Sequence, residues 1–108
     1  MQKKMRVLFV CLANVDRSPT AEEMFRGRTD LEVMSAGISA VGGRQLTEEI
    51  VVWADKIFVM EGEQADYIEA LVPGARSKTV VLDIQDIYPR NHPKLRALLK
   101  ERVTPLLP

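Results

Sequence analysis

The chain has 108 residues, which is enough for one compact domain with a modest core and excludes a multidomain enzyme. Its 15 lysines and arginines balance its 15 aspartates and glutamates, so no global field recruits nucleic acid or an anionic membrane. Apolar residues make up 46% of the chain and charged residues 28%, which excludes a disordered protein. We therefore expect residues 1–108 to form a single domain with no nucleic-acid partner.

The chain carries neither a membrane-spanning pattern nor a metal-binding one. Its longest apolar run, residues 7–13, is too short to cross a bilayer, and residues 1–4 lead into a strand-like run without a signal-peptide cleavage pattern. We therefore expect a cytoplasmic protein with no membrane partner. Cys11 is the only cysteine and His92 the only histidine, which excludes an internal disulfide, a zinc cluster or a histidine pair. We expect no metal and no cofactor.

The first strand and helix are predicted at the start of the chain. Residues 6–10 form a nearly continuous apolar run, which is typical of a strand buried on both faces. Residues 19–26 repeat apolar side chains at helical spacing. Ser18 is placed to cap this helix, with Pro19 at its first position.

Three further strands and three further helices follow in alternation. The strands are predicted at residues 31–34, 56–60 and 79–82. The second helix, which Thr47 is placed to cap, extends to about residue 54, and the third covers residues 64–72. The last helix follows a polar loop at residues 83–93, and its apolar stripe is Leu95, Leu98, Leu99 and Val103.

Alternating strands and helices imply right-handed crossovers, and therefore a three-layer α/β/α fold with a four-stranded parallel sheet. Ligands of such sheets bind beyond the carboxyl ends of the strands. The loops that reach this edge are residues 11–18, 35–44, 61–63 and 83–91.

The first of these loops, which we call the Cys11 loop (residues 11–18), carries the chemistry. It places a thiol at the end of a strand, then five residues, then an arginine and a serine at the start of a helix. Its residues are Cys11, Leu12, Ala13, Asn14, Val15, Asp16, Arg17 and Ser18. A short loop between a strand and a helix can curl until its backbone N–H groups point inward, which makes a nest for a tetrahedral oxyanion. We therefore predict that this loop binds phosphate.

The side chains of the Cys11 loop suit phosphoryl transfer. Cys11 would lie beneath the phosphorus, and Arg17 would grip two of its oxygens with a planar fork. The same donors favour the charged thiolate of Cys11. Ser18 can donate its hydroxyl to the sulfur, and Asn14 can lock the loop because asparagine tolerates a left-handed backbone.

Residues 10–22 resemble the phosphate-binding signature of the low-molecular-weight protein tyrosine phosphatases. They read Val-Cys-Leu-Ala-Asn-Val-Asp-Arg-Ser-Pro-Thr-Ala-Glu. Further matches to the family follow in order through most of the chain, at residues 35–37, 44–47, 54–60 and 83–88. A bare Cys-x5-Arg pattern is weak, but the preceding strand, the following Ser-Pro and the ordered matches make this one specific.

The resemblance implies roles for individual residues. Cys11 would be the nucleophile, Arg17 the phosphate clamp and Ser18 the stabiliser of the thiolate. Asn14 would organise the loop, and Ser35 would join the hydrogen bonds that brace it. Residues 86–88 occupy the place of the family's Asp-Pro-Tyr or Asp-Pro-Trp segment. Asp86 would therefore be the general acid, and Tyr88 would line the slot for an aromatic ring.

The activity implied by the resemblance is hydrolysis of phosphotyrosine or a similar aryl phosphate through a phosphocysteine intermediate. The partners would be a phosphorylated protein or a small aryl phosphate. Phosphate and other tetrahedral oxyanions would inhibit the reaction. These are expectations from the family and not from the composition or spacing.

Four departures from the family distinguish this chain. Asp16 stands where many members have a second cysteine, so their protective disulfide cannot form, and its charge opposes the thiolate unless it points away to cap the helix. Ile87 replaces the proline that stiffens the acid loop, which leaves Asp83 as a competing acid. Residues 61–64 lack a histidine that the family often has, and the segment at residues 37–44 is short.

Two other classes of function remain open at this point. Sugar-transport phosphocarriers of this size also place a cysteine after the first strand of a parallel sheet, but a hydrolytic clamp such as Arg17 would waste the carried phosphate. A phosphate-binding module without catalysis is the other alternative. Arsenate reductases share the resemblance, but they need further cysteines, and Cys11 is alone.

Overall fold

A four-stranded parallel sheet with helices on both faces forms the protein in the computed structural model, which describes residues 3–108. The strands are β1 Met5–Cys11, β2 Leu31–Gly37, β3 Lys56–Val59 and β4 Thr79–Val81. The helices are α1 Arg17–Phe25, α2 Glu48–Trp53, α3 Gly62–Leu71 and α4 Pro93–Val103. Short 3-10 helices cover Ala75–Lys78 and Thr104–Leu106. The predicted three-layer α/β/α fold is confirmed.

The order of the strands puts the end of β1 at a crevice. The strands are ordered β2-β1-β3-β4, so the chain goes from β1 to β2 in one direction across the sheet and from β3 to β4 in the other. Cys11, the last residue of β1, lies beside Gly37 of β2. Because ligands of open α/β sheets bind where the strand order reverses, this topology favours a site at Cys11.

The side chains of β1 alternate between two apolar cores. Val7 and Phe9 pack with residues of α1 and α4 on one face of the sheet, whereas Leu8 and Val10 pack with residues of α2 and α3 on the other. All four are fully buried. This burial on both faces is the physical reason for the continuous apolar run in the sequence.

Local hydrogen bonds decide where the helices begin. Thr47 caps α2 as predicted, because its Oγ1 accepts the Ile50 amide at 3.3 Å. The prediction that Ser18 caps α1 is wrong: α1 begins at Arg17, and Ser18 lies inside its first turn. Helix α3 begins two residues earlier than predicted. The Oε1 of Gln64 accepts the amide of Glu61, the residue just before the helix, at 2.9 Å.

No helix within residues 3–108 combines the length and the apolar character that crossing a membrane requires.

Candidate active site

A second loop, which we call the glycine loop (residues 38–43), is hydrogen-bonded to the backbone of the Cys11 loop. Three of its amides donate to successive carbonyls of the Cys11 loop: Ile38 to Cys11 at 3.2 Å, Ser39 to Leu12 at 2.8 Å and Gly43 to Ala13 at 2.8 Å. A trans peptide points its carbonyl and the next amide in opposite directions. The amides that follow these carbonyls therefore face away from the glycine loop, as the predicted nest requires. One of them, from Asn14, lies 3.2 Å from the sulfur of Cys11.

Glycines allow the two loops to approach this closely. A Cβ on Gly37 would lie 2.7 Å from the Asn14 nitrogen, and one on Gly42 or Gly43 would collide with the backbone of the Cys11 loop. Gly42 also has a φ of +124°, which residues other than glycine rarely adopt. The glycine loop therefore packs directly against the backbone of the Cys11 loop and supports its shape.

Asn14 ties the Cys11 loop to its surroundings. Its φ of 56° is left-handed, a conformation that asparagine tolerates. Its Nδ2 donates to the hydroxyls of Ser18 and Ser35, both at 2.9 Å, and its Oδ1 accepts the Arg44 amide at 2.8 Å. Ser35 in turn donates to Glu22 at 2.6 Å. The structure thus brings together Asn14, Ser18 and Ser35, as the sequence analysis expected, and adds Glu22.

The sulfur of Cys11 lies at the base of the loop. It is 3.0 Å from the hydroxyl oxygen of Ser18, and the residue is only 3% exposed. Ser18 accepts from Asn14, so its own hydrogen is free to point at the sulfur or, at 3.4 Å, at the Ala36 carbonyl. Of the two roles expected for Ser18, the structure therefore has the contact with the thiol and not the helix cap.

The guanidinium of Arg17 is buried where three strand ends meet. Its Nη1 donates to Glu61, which follows β3, and to the carbonyl of Ile84, which follows β4, both at 2.7 Å. Its Nε is buried and has no hydrogen-bond partner among residues 3–108. A buried cation requires a counter-charge, and Glu61 supplies it. Sequence reasoning missed Glu61, although its loop was among those predicted to reach this edge.

The structure separates the two acid candidates on the loop at residues 83–92, which we call the Asp86 loop. The Oδ1 of Asp86 lies 3.6 Å from the Nε of Arg17, and its side chain is 53% exposed. Asp83 has a left-handed backbone with a φ of 55° and is exposed, and its carbonyl accepts from Arg102. Asp86 and not Asp83 is therefore beside the buried guanidinium.

Asp16 does not act as the helix cap that was its expected alternative role. No side-chain hydrogen bond caps α1, and the Oδ1 of Asp16 instead accepts the Arg90 amide at 3.0 Å. The guanidinium of Arg90 donates to Glu23 at 2.6 Å. Hydrogen bonds from the Asn91 side chain and from Arg90 lower the pKa of Glu23 below its ordinary value. Helix α1 therefore contacts the end of the Asp86 loop.

Tyr88 lies half-buried against the core, with its ring 5.6 Å from that of His92. It lines a groove whose other walls come from α4, namely Lys94, Ala97, Leu98 and Glu101. Its expected contact with an aromatic substrate stays a prediction. Within residues 3–108, no cluster of three or more histidine, cysteine or acidic side chains is arranged to hold a metal ion.

Comparison with known proteins identifies the family. A family model described as low molecular weight phosphotyrosine protein phosphatase matches residues 6–72. The chain is 31% identical to the low molecular weight protein-tyrosine-phosphatase Ptp of Acinetobacter johnsonii, over 68% of each chain. It is 30% identical to the protein-arginine-phosphatase of Geobacillus stearothermophilus, over 71% of this chain and 68% of that one.

Solved structures show the same fold. The Wzb protein of Vibrio vulnificus superimposes with a TM-score of 0.78 at 24% identity, covering 96% of this chain and 97% of that one. The AmsI tyrosine phosphatase of Erwinia amylovora gives a TM-score of 0.74 at 22% identity, covering 93% and 89%. With the family model matching well over half of its length, this chain belongs to the low molecular weight phosphotyrosine protein phosphatases.

Proposed function

We propose that this chain hydrolyses phosphotyrosine, or a similar aryl phosphomonoester, through a phosphocysteine intermediate. The observation that carries the proposal is the buried Nε of Arg17, which makes no hydrogen bond within the described residues, with the Asp86 carboxylate 3.6 Å away, while both hydrogens of Nη1 are used. Leaving a buried donor unpaired costs about 1–3 kcal/mol. That cost is recovered when an anionic oxygen binds, so the arrangement favours an oxyanion ligand above Cys11.

The oxyanion seat combines backbone and side-chain donors. The amides of the Cys11 loop would surround the phosphate, namely those of Leu12, Ala13, Asn14, Val15, Asp16, Arg17 and Ser18. Nε and Nη2 of Arg17 would bind two equatorial oxygens as a fork, and Glu61 would hold the guanidinium at the required angle. Because these donors strengthen as charge spreads in the transition state, they accelerate the transfer and do not merely bind its product.

The chemistry proceeds in two displacements. The Cys11 sulfur attacks phosphorus, an S–P bond forms, and the P–O bond to the aryl group breaks while Asp86 gives its proton to the departing oxygen. Water then attacks the phosphocysteine as Asp86 takes a proton from it. The S–P bond breaks, phosphate leaves, and the Ser18 hydroxyl stabilises the returning thiolate.

An aryl substrate fits the surroundings of the loop. The side chains of Leu12, Val15 and Ile87 are large, apolar and exposed, and they lie in or next to the segments that carry Cys11 and Asp86. They offer apolar contact to a ring whose phosphate is held below. A phosphorylated protein or a small aryl phosphate would therefore be the substrate, with free phosphate and other tetrahedral oxyanions as inhibitors, and we propose Tyr88 as a further contact of the ring.

The proposal is tested by turnover and by trapping the intermediate. We expect the purified chain, with a chelator present, to release phosphate from a phosphotyrosine peptide and from p-nitrophenyl phosphate. Acid quenching during turnover should place phosphate on Cys11 in peptide mass spectrometry, and the adduct should vanish once the substrate is consumed.

Three outcomes would contradict it. A phosphocysteine that persists without substrate would favour the carrier function. Tight vanadate binding without turnover would favour a module that only binds phosphate. Faster release from a phosphoarginine peptide than from its phosphotyrosine counterpart would change the substrate class, toward that named for the relative from Geobacillus stearothermophilus.

Replacing Asp86 by asparagine tests the general acid. We expect kcat/KM to fall about 100-fold for phenyl phosphate, a poor leaving group, but far less for p-nitrophenyl phosphate, since general acids contribute about 10²–10⁴-fold. Asp83→Asn is the matched control, because Asp83 lies three residues away on the same loop and faces solvent. If Asp83→Asn shows the dependence on leaving group and Asp86→Asn does not, the acid is Asp83.

A further inference from the structure

The backbone of the Asp86 loop is hydrogen-bonded to the rest of the protein on the upstream and the downstream side of Asp86. On the upstream side, the Ile84 amide donates to the Met60 carbonyl at 2.9 Å, and Arg102 donates to the carbonyls of Leu82 and Asp83 at 2.7 and 2.8 Å. Apart from the turn at residues 86–87, no amide of residues 85–88 donates a hydrogen bond to another segment of the described chain. The position of Asp86 therefore depends on its own contact with Arg17 and on how firmly the downstream end is held.

The downstream end is attached to one face of helix α1. The Arg90 amide donates to Asp16 at 3.0 Å, and the Asn91 amide donates to Thr20 at 2.9 Å. The guanidinium of Arg90 donates to Glu23 at 2.6 Å. The three acceptors are spaced four and three residues apart, so they form one stripe along the helix.

The stripe is organised by a further hydrogen bond. The Thr20 hydroxyl donates to the backbone carbonyl of Asp16 at 2.7 Å. With its hydrogen used there, the oxygen presents a lone pair to the Asn91 amide. Thr20 is fully buried, so this acceptor is not replaced by water without opening the contact.

We propose that Asp16 is a positioning residue: with Thr20, it holds the downstream end of the Asp86 loop on helix α1, so that the Asp86 carboxylate stays beside Arg17. The inference rests on the proposed role of Asp86 as general acid. Asp16 directly precedes Arg17 in the chain. One short stretch of backbone therefore positions both Arg17, the phosphate clamp, and Asp16, which holds the Asp86 loop.

Two departures of this chain from its family fit together in this arrangement. Ile87 leaves the acid loop without the proline that would restrict its backbone, and its side chain is 65% exposed and adds little packing. Asp16 occupies the position of the family's second cysteine. Its carboxylate is a strong hydrogen-bond acceptor, whereas the sulfur of a cysteine is a weak one. The lost stiffness is thus compensated by attachment to the helix.

The test compares Asp16→Ala with Asp16→Asn, which keeps an acceptor oxygen but removes the charge. For Asp16→Ala we expect kcat/KM to fall about 10-fold with phenyl phosphate and less than about 2-fold with p-nitrophenyl phosphate, because a misplaced acid matters most for a poor leaving group. Inhibition by inorganic phosphate should stay within about 2-fold, since the oxyanion seat is intact. In Asp16→Asn the ratio of kcat/KM between the two substrates should stay within about 2-fold of that of the unmodified chain, because an acceptor for the Arg90 amide remains.

A second readout does not depend on catalysis. Hydrogen exchange at the Arg90 and Asn91 amides should become faster in Asp16→Ala and in Thr20→Val but not in Asp16→Asn. Asp66→Ala, which removes an exposed carboxylate paired with Arg76, is the control for a general effect of losing an aspartate. It should change neither the exchange nor the ratio between the two substrates.

Other outcomes would overturn the inference. Equal losses with both substrates, together with weaker inhibition by phosphate, would mean that Asp16 supports the Cys11 loop. An Asp16→Asn variant as impaired as Asp16→Ala would assign the effect to charge and not to the tether. If the unmodified chain is inactive toward both substrates, the proposed function fails, while the exchange at Arg90 and Asn91 still shows whether Asp16 holds the segment.

Discussion

The Cys11→Ser variant is expected to lose at least about 10⁴-fold in kcat/KM toward p-nitrophenyl phosphate, the scale of loss when a covalent nucleophile is removed. The neighbours of the sulfur, the Ser18 hydroxyl and the Asn14 amide, are hydrogen-bond donors, and the carboxylate of the loop, Asp16, is bonded to the Arg90 amide. The hydroxyl and the amide can donate hydrogen bonds to the sulfur but cannot take a proton from an alcohol. Steady-state kinetics at matched protein concentration measures the loss.

Binding of inorganic phosphate to Cys11→Ser separates loss of the nucleophile from loss of the fold. The amides of the loop and the guanidinium of Arg17 remain, so titration calorimetry should show phosphate binding within about 10-fold of the unmodified chain. Thermal unfolding should show that the variant is folded, because serine differs from cysteine by one atom at a site that is 3% exposed. Turnover that persists unchanged would refute the assignment of Cys11.

The second large effect is expected for Arg17→Lys, at about 10³-fold or more in kcat/KM, since each donor to a developing oxyanion is worth about 10²–10³-fold. An ammonium can replace the bond to Glu61 or to the Ile84 carbonyl but offers no rigid fork to two phosphate oxygens. Affinity for vanadate, an analogue of the transition state, should fall more than affinity for phosphate. Competitive inhibition constants for the two anions measure this difference.

Arg76→Lys is the matched control for the loss of a guanidinium. Arg76 also pairs with a carboxylate, Asp66, at 2.8 Å, but it precedes β4 and so lies at the edge of the sheet opposite Cys11. We expect its kinetics to be unchanged. Equal inhibition constants for vanadate in Arg17→Lys and in the unmodified chain would remove Arg17 from the oxyanion seat.

Much of the fold follows from short-range patterns. The apolar run at residues 6–10 lies within β1, which is buried on both faces, and Thr47 caps α2 because its partner, the Ile50 amide, is three residues away. The Cys11 loop could be recognised for the same reason, since its thiol, arginine and serine occupy one strand-loop-helix unit. Interactions that close within a few residues are encoded in local spacing.

Other features of the site could not be read from spacing. Ser18 has the spacing of a helix cap, but α1 begins one residue earlier, at Arg17, and no side-chain hydrogen bond caps it. Glu61 looks like a solvated charge until Arg17, 44 residues earlier, is buried against it. Asp83 and Asp86 are equivalent acids in a polar loop until the fold puts one of them 3.6 Å from a guanidinium.

The amino-acid sequence by itself determined the order of strands and helices and the loop in which a thiol, an arginine and a serine converge, because both are encoded in local spacing. The parallel sheet followed from that order, since alternating strands and helices require crossover connections. Only the tertiary structure decided the counter-ion of Arg17, the acid candidate beside it and the attachment of Asp16 to Arg90, 74 residues away. These contacts join residues that are far apart in the chain and come together only where the ends of several strands meet. Arg17 is buried there, and so needs a counter-charge, only after the sheet has assembled.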